Sequence, residues 1–215
     1  MATTLDWALF AASLALVAVY EFYARHRRRT QPSRVARTAH GVIRADWARA
    51  IRSRPGNEIL AVQTLRNSVM AASITGSTAV LAFVALVSQI TPRAHEPTAT
   101  ALFPLVANVH GALVVLLLCA LFAAFLLSAT AVRFFNHAGY ILATPLALDT
   151  QDGLTELGAR YVARAGHLYS LSLRSFLLVA PFAIGLVSTI GMLVASFVLI
   201  FVLVEFDRAP DVVVR

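Results

Sequence analysis

The chain has 215 residues, of which 59% are apolar and only 13% charged, and its mean hydropathy is +0.74. These values exclude a soluble domain of this length and indicate an integral membrane protein. All 18 basic residues are arginine, set against 11 acidic residues, but they lie beside apolar segments rather than in a separate basic domain. The net charge of +7 therefore points to contact with anionic lipid and argues against nucleic-acid binding.

The first apolar segment, residues 5–23, is long enough to cross a hydrocarbon core of about 30 Å. No basic residue precedes it, and Arg25, Arg27, Arg28 and Arg29 follow it, which is the reverse of the charge order in a signal peptide. We therefore predict a retained first span with its N-terminus outside.

The stretch from Ala24 to Arg54 contains ten arginines in 31 residues. Short basic loops stay on the cytoplasmic side, so this stretch is predicted to be cytoplasmic. Within it, residues 33–53 place Trp47, Ile51 and other apolar side chains at helical spacing opposite the arginines, which predicts an amphipathic helix. Its apolar side suits either the lipid interface or the protein's own cytoplasmic helix ends.

Three further spans are predicted at residues 66–90, 105–132 and 176–204, with an outside loop at 91–104. A second amphipathic helix, residues 152–174, leads into the last span, where Pro181 is expected to cause a kink. The predicted fold class is thus an all-α integral membrane protein, in which residues 1–215 form one bundle of four transmembrane helices.

Arginine placement predicts the orientation of these four spans. Residues 24–66 and 133–174 contain 11 and 4 arginines, whereas the outside loop contains one and the C-terminal tail two. The bias predicts a multi-pass protein of the plasma membrane with cytoplasmic basic loops and both termini outside.

Small residues recur within the second predicted span, where Ser68, Ala72 and Gly76 follow one another at four-residue spacing. Such rows let helices approach closely in lipid. We therefore expect this row to pack against another helix.

Several segments resemble those of an uncharacterised membrane family, the domain of unknown function 599 family. The similar segments are Tyr20-Glu21, Leu65-Arg66-Asn67-Ser68, Arg133-Phe134-Phe135-Asn136 and Tyr169 to Arg174. The resemblance extends from about Leu5 to Asp207. It implies four spans and no established activity.

Polar residues at the predicted cytoplasmic ends of the spans form a candidate site. They are Glu21, Arg66, Asn67, Arg133, Asn136, His137 and Arg174. An unpaired ionisable residue in hydrocarbon costs about 2.5 to 3.5 kcal/mol, so Glu21 is expected to pair with Arg66, Arg133 or Arg174. The surplus positive charge would suit an anion or a lipid headgroup. The alternative is that the arginines only extend to lipid phosphates as ordinary flanking charges.

No cofactor or metal site is predicted. The single cysteine, Cys119, lies in an apolar run, and the six histidines lack a metal-ligand spacing. The sequence also lacks a phosphate-binding loop and a nucleophile motif, so enzyme activity is not expected.

Three functional classes remain open. The first is a non-catalytic scaffold or subunit that interacts with other membrane proteins, or with its own copies, and with anionic lipid. The second is a small oligomeric channel or transporter for an anionic or small polar solute, whose path Ser73, Ser77, Thr78 and Ser188 would line. The third and most remote is a haem- or metal-binding redox protein. Because four spans are few for a transporter, the first class is preferred.

Overall fold

A computed structural model describes residues 4–30, 36–54, 56–94, 108–144 and 153–207. Within these residues the regular structure is entirely helical. The helices are α1 (Thr4–Thr30), α2 (Ala36–Arg52), α3 (Glu58–Ala94), α4 (Val109–Ala143), α5 (Gly153–Leu177), α6 (Val179–Gly185) and α7 (Thr189–Asp207). Most of the predicted outside loop, the start of the predicted third span, and residues 33–35 and 152 lie outside the described residues.

Five helical segments of the described chain are long and apolar enough to cross a membrane: α1, α3, α4, α5 together with α6, and α7. The prediction of four spans is therefore not supported. The predicted last span, residues 176–204, is divided because α6 ends at Gly185 and α7 begins at Thr189. The apolar run continues through this turn, which is why hydropathy alone merges the two helices into one.

Helix α7 runs parallel to α1. Near the start of α7, the Thr189 hydroxyl donates a hydrogen bond of 2.9 Å to Oδ1 of Asp6. Near its end, the Tyr20 hydroxyl donates a 2.8 Å bond to Oδ2 of Asp207. Thr4 and Asp207 therefore lie at opposite ends of the bundle, whereas the four-span prediction places these two residues on the same side.

The two ends of the bundle differ in charge. We call the end that contains Arg25, Arg174 and Asp207 the basic end, because the C-terminal turns of α1 and the whole of α2 lie there. The other end, with Asp6 and the turn between α6 and α7, is called the opposite end.

Helices α3, α4 and α5 pack as an antiparallel layer. Leu65 and Gly76 of α3 lie beside Gly139 and Ser128 of α4, and Gly158 of α5 lies beside Leu142. At about 1.5 Å per residue, α4 is roughly 50 Å long, which exceeds the hydrocarbon thickness of about 30 Å. A helix of this length therefore extends beyond the bilayer core.

Helix α2 covers the basic ends of α3, α4 and α5. Its buried residues Ala48 and Ile51 join an apolar cluster that also contains Ala61, Leu65, Ala131, Phe135, Ala138, Leu142, Ala159, Val162 and Ala165. Trp47 packs against the edge of this cluster. Helix α2 thus packs its buried apolar residues against the protein's own helix ends, one of the two locations considered for it.

Close contact of α3 with α4 depends on small residues. Ala72 and Gly76 are buried, whereas Ser68 is only partly buried. A Cβ atom added to Gly76 would lie 3.1 Å from the Cβ of Ser128. On its other side, the Ser128 hydroxyl lies 2.7 Å from that of Ser172, so one serine pair joins α4 to α5 in the centre of the layer.

The boundary between α5 and α6 falls at Leu178, three residues before Pro181. Proline lacks an amide hydrogen and its ring crowds the preceding turn, which interrupts the helix there. The second predicted amphipathic helix thus extends to Leu177, a few residues beyond its predicted end at 174.

Candidate functional site

The predicted polar cluster is divided between two depths. Arg174 lies two residues after Ser172, which contacts Ser128 of α4. Arg66 follows Leu65, which lies beside Gly139 of α4. Eleven residues of helix separate Ser128 from Gly139, a distance of roughly 16 Å along the axis. Arg66 and Arg174 therefore cannot serve one small ligand.

The deeper region is an ion-pair network that we call the Arg174 group. Nη1 of Arg174 lies 2.7 Å from Oε1 of Glu21, and its Nη2 bonds to Oδ2 of Asp207. The Arg174 side chain is 11% exposed. Glu21 thus has the arginine partner expected of it, and that partner is Arg174 rather than Arg66 or Arg133.

Asp207 is the member of the Arg174 group that sequence reasoning missed. Under a four-span topology it belonged to the outer side of the membrane, far from Glu21. The turn between α6 and α7 returns it to the basic end, where it contacts both Arg174 and Tyr20. Arg174 thus contacts two carboxylates, whereas the sequence led us to expect several arginines around the single carboxylate of Glu21.

A cavity of about 360 Å³ opens beside the Arg174 group, between α2, α5 and α7. Its lining combines four polar residues with four large apolar ones. They are His40, Ser170, Arg174 and Asp207, and Leu173, Leu177, Leu203 and Phe206. We call it the α2–α5–α7 cavity.

Arg44 of α2 lies one helical turn from His40 but does not itself line this cavity. Its half-buried guanidinium rests against Gly166 of α5 so closely that a Cβ atom there would overlap it. Burial lowers the pKa of Arg44 because the charged form is poorly solvated. In the part of the chain that the structure describes, no carboxylate lies within ion-pair distance of it.

The neighbouring arginines of α2 have structural partners. Nε of Arg49 lies 3.0 Å from Oε2 of Glu156, and this bond raises the pKa of Arg49. Arg52 donates a 2.7 Å bond to the carbonyl of Ile141 and another to that of Thr144, so it satisfies carbonyls at the end of α4. Arg44 thus differs from both.

The second region is a groove between α3 and α4 at the basic end, with a volume of about 310 Å³. We call it the α3–α4 groove. It is lined by Val62, Leu65, Arg66, Val69, Phe135, Asn136, Gly139, Tyr140 and Ala143. Arg66 is the charged residue in this lining, and no carboxylate accompanies it.

The remaining predicted site residues lie elsewhere at the basic end. Asn67 and Arg133 are exposed and do not line the groove. His137 packs its ring near those of Tyr140 and Tyr161, with centroids 6.5 and 6.2 Å apart. Of the seven predicted residues, Arg66 and Asn136 come together in the groove, and Glu21 and Arg174 in the Arg174 group.

The residues considered for a channel path do not converge within one copy of the chain. Ser73, Ser77 and Thr78 are exposed on the outer face of α3. Ser188 lines a separate cavity of about 380 Å³ at the opposite end, together with Asp6 and His110. Among the described residues, no three histidine, cysteine, aspartate or glutamate side chains form a group able to hold a metal ion.

The five long apolar helices are consistent with a multi-pass membrane protein, and the polar regions at the basic end are its candidate binding sites. A sequence model of the family described as "Protein of unknown function, DUF599" matches residues 8–212. The chain belongs to this family. No curated protein and no solved structure matches it.

Proposed function

We propose that this is a non-catalytic multi-pass membrane protein that binds anionic phospholipid in the α3–α4 groove. The observation that carries the proposal is Arg66, a cation that lines a groove of about 310 Å³ in which no carboxylate competes for it. A guanidinium can bind a phosphate through two parallel hydrogen bonds. The amide of Asn136 and the phenol of Tyr140 offer further donors to the same headgroup.

The rest of the groove suits the glycerol and acyl part of a lipid. Val62, Val69 and Phe135 provide apolar surface next to Arg66. The groove also lies at the basic end of the bundle, where arginines that attract anionic lipid are concentrated. A soluble anion would bind the arginine but would not contact the apolar surface. This difference distinguishes a phospholipid from a soluble anion as the ligand.

The orientation that accompanies this proposal places the basic end in the cytoplasm. Residues 24–66 and 133–174 then contribute 11 and 4 arginines to that side, and Arg208 and Arg215, which follow Asp207 in the chain, add two. Arg93 alone is assigned outside. The bias is 17 to 1, stronger than the 15 to 3 of the four-span arrangement, and it supports the positive-inside orientation.

The test is lipid binding by the protein purified in a neutral maltoside detergent. We expect phosphatidylglycerol to bind and to raise the melting temperature, and Arg66→Gln to weaken its apparent affinity about tenfold through loss of a charge-assisted hydrogen bond. Arg133→Gln is the matched control, since it removes an exposed arginine at the same end without altering the groove.

Two outcomes would contradict this proposal. Equal affinity of wild type and Arg66→Gln for phosphatidylglycerol would show that the lipid does not bind in the α3–α4 groove. Stabilisation by inorganic phosphate that matches the effect of the lipid would identify a soluble anion as the ligand instead.

A scaffold role is the second candidate, favoured by the outer face of α3. Ser73 and Ser77 are exposed there at four-residue spacing, on a helix long and apolar enough to lie in lipid. Small residues allow a neighbouring helix to approach closely. Ser77→Cys in a Cys119→Ala background should form a disulfide-linked dimer in membranes if this face pairs with its own copy, whereas Leu126→Cys, on the exposed side of α4, should not.

A further inference from the structure

Three polar side chains line the α3–α4 groove without being engaged by the protein. They are the guanidinium of Arg66, the amide of Asn136 and the phenol of Tyr140. Within the ranges that the structure describes, none of these three groups makes a side-chain hydrogen bond or an ion pair. By contrast, the guanidinium of Arg174 already binds two carboxylates. The groove therefore offers a ligand three polar groups that are free to bind it.

The three groups lie at the same level of the bundle. Asn136 and Tyr140 are one turn apart on α4, which is about 6 Å along the helix axis. Gly139, between them in the chain, lies beside Leu65 of α3, and Leu65 directly precedes Arg66. One lipid headgroup can therefore contact α3 and α4 together.

The chemistry of these groups determines which headgroup fits. Arg66 supplies the counter-charge for a phosphate. The amide of Asn136 and the phenol of Tyr140 are neutral, and each can both donate and accept hydrogen bonds. The hydroxyl groups of a glycerol or inositol headgroup also donate and accept. Headgroup hydroxyls are thus well matched to the two polar side chains of α4.

A headgroup with a primary amine is matched less well. Its ammonium group can only donate hydrogen bonds, and its charge is repelled by that of Arg66. The residues that line the groove include no carboxylate that would offset this repulsion. The groove therefore disfavours an amine even in a lipid whose net charge is negative.

Tyr140 is well placed to recognise the headgroup. It is 73% exposed, so its hydroxyl is accessible to a ligand. Its ring is supported on one side by the ring of His137, with centroids 6.5 Å apart, and His137 packs in turn near Tyr161. A side chain that is already supported loses less conformational freedom on binding. We therefore expect the Tyr140 hydroxyl to contribute to selectivity.

We propose that the α3–α4 groove selects anionic phospholipids whose headgroup carries hydroxyl groups and no amine. Arg66 binds the phosphate, and Asn136 and Tyr140 bind the headgroup hydroxyls. The selectivity rests on the proposed function, because it concerns the same groove, and it adds the class of lipid that the groove prefers.

Three lipids of equal net charge and identical acyl chains test this in the protein purified in neutral maltoside detergent. Phosphatidylglycerol has headgroup hydroxyls, phosphatidylpropanol has a headgroup of the same chain length without them, and phosphatidylserine has an amine. We expect phosphatidylglycerol to bind about tenfold more tightly than either of the others, as expected for one or two hydrogen bonds. The shift in melting temperature with lipid concentration gives each apparent affinity.

Tyr140→Phe removes only the phenol hydroxyl. It should weaken the binding of phosphatidylglycerol about fivefold and leave that of phosphatidylpropanol unchanged. Tyr161→Phe is the matched control, since it removes a phenol hydroxyl at the same end of the bundle but outside the groove lining. Asn136→Leu keeps a side chain of similar size without the amide, so it should also reduce the preference for phosphatidylglycerol.

The selectivity is refuted if the wild type binds phosphatidylpropanol or phosphatidylserine as tightly as phosphatidylglycerol, or if Tyr140→Phe behaves like Tyr161→Phe. Arg66→Gln distinguishes this failure from failure of the proposed function. If it weakens the binding of phosphatidylglycerol and phosphatidylpropanol alike, the groove binds phospholipid whether or not it selects hydroxyls. If it weakens neither, the groove is not the lipid site and both proposals are wrong.

Discussion

At the scale of single residues, the Arg174 group is the main polar link between helices at the basic end. Arg174 joins α5 to α1 through Glu21 and to α7 through Asp207, and the Tyr20 hydroxyl closes the network. Charges this poorly exposed need partners, because leaving one alone costs several kcal/mol. The group therefore explains why three helices that are distant in the chain meet at one depth.

Glu21→Gln should lower the free energy of unfolding by about 1 to 2 kcal/mol, since it removes one charge from a partly buried pair and leaves Asp207 in place. Denaturation in mixed detergent micelles would measure this. Asp46→Asn is the control, because its pair with Arg49 is solvent-exposed and should contribute less than about 1 kcal/mol. A loss for Glu21→Gln no larger than that of the control would show that the pair does not hold the bundle together.

At the scale of helices, the packing of α3 on α4 depends on one glycine more than on the others. A methyl group at Gly76 would press on Ser128, whose hydroxyl is held by Ser172. At Gly139 of the same interface, an added Cβ would be 3.8 Å from Leu65, an ordinary contact. The two positions therefore form a matched pair.

Gly76→Ala should destabilise the protein by about 0.5 to 2 kcal/mol through overpacking. Gly139→Ala should be neutral or stabilise by up to about 1 kcal/mol, because alanine favours the helix. Unfolding of both variants under identical micelle conditions checks this. If Gly76→Ala is as stable as Gly139→Ala, Ser128 moves aside at no cost in free energy. The close packing of α3 on α4 would then not require a glycine at residue 76.

At the scale of the whole molecule, the turn between α6 and α7 determines the number of crossings. Helix α5 with α6 runs from the basic end to the opposite end, and α7 returns to Asp207. The orientation that we propose, with the basic end in the cytoplasm, places Thr4 outside and Asp207 inside.

Cysteine labelling tests this topology. In a Cys119→Ala background, Val187→Cys, at a residue that is 90% exposed in the turn, should react with an impermeant maleimide added to intact cells, and Ser53→Cys should not. A continuous fourth span would bury residue 187 in the bilayer, so labelling from neither side would favour four spans. Labelling of residue 53 but not 187 would reverse the orientation.

The sequence by itself determined the class of protein and the location of most helices. Hydropathy over 18 or more residues and the placement of arginines are local properties, so long apolar helices, an arginine-rich first loop and the row that contains Ala72 and Gly76 can be recognised without a structure. The prediction that Glu21 pairs with an arginine also follows from its position alone, because a carboxylate at the end of a membrane span needs a counter-charge.

Only the tertiary structure decided which arginine pairs with Glu21. It also decided how the remaining predicted polar residues are divided between the Arg174 group and the α3–α4 groove. Arg66 and Arg174 both lie at the start of apolar segments, so the sequence alone makes them look equivalent. Their depths along the bundle differ because the packing of α3 and α5 against α4 sets the level of each residue, and sequence does not reveal that packing. The reversal at residues 186–188 occurs within a continuous apolar run, where hydropathy has no contrast to detect it. Asp207 reaches Arg174 because α7 packs alongside α1, and that contact depends on the fold of the whole chain.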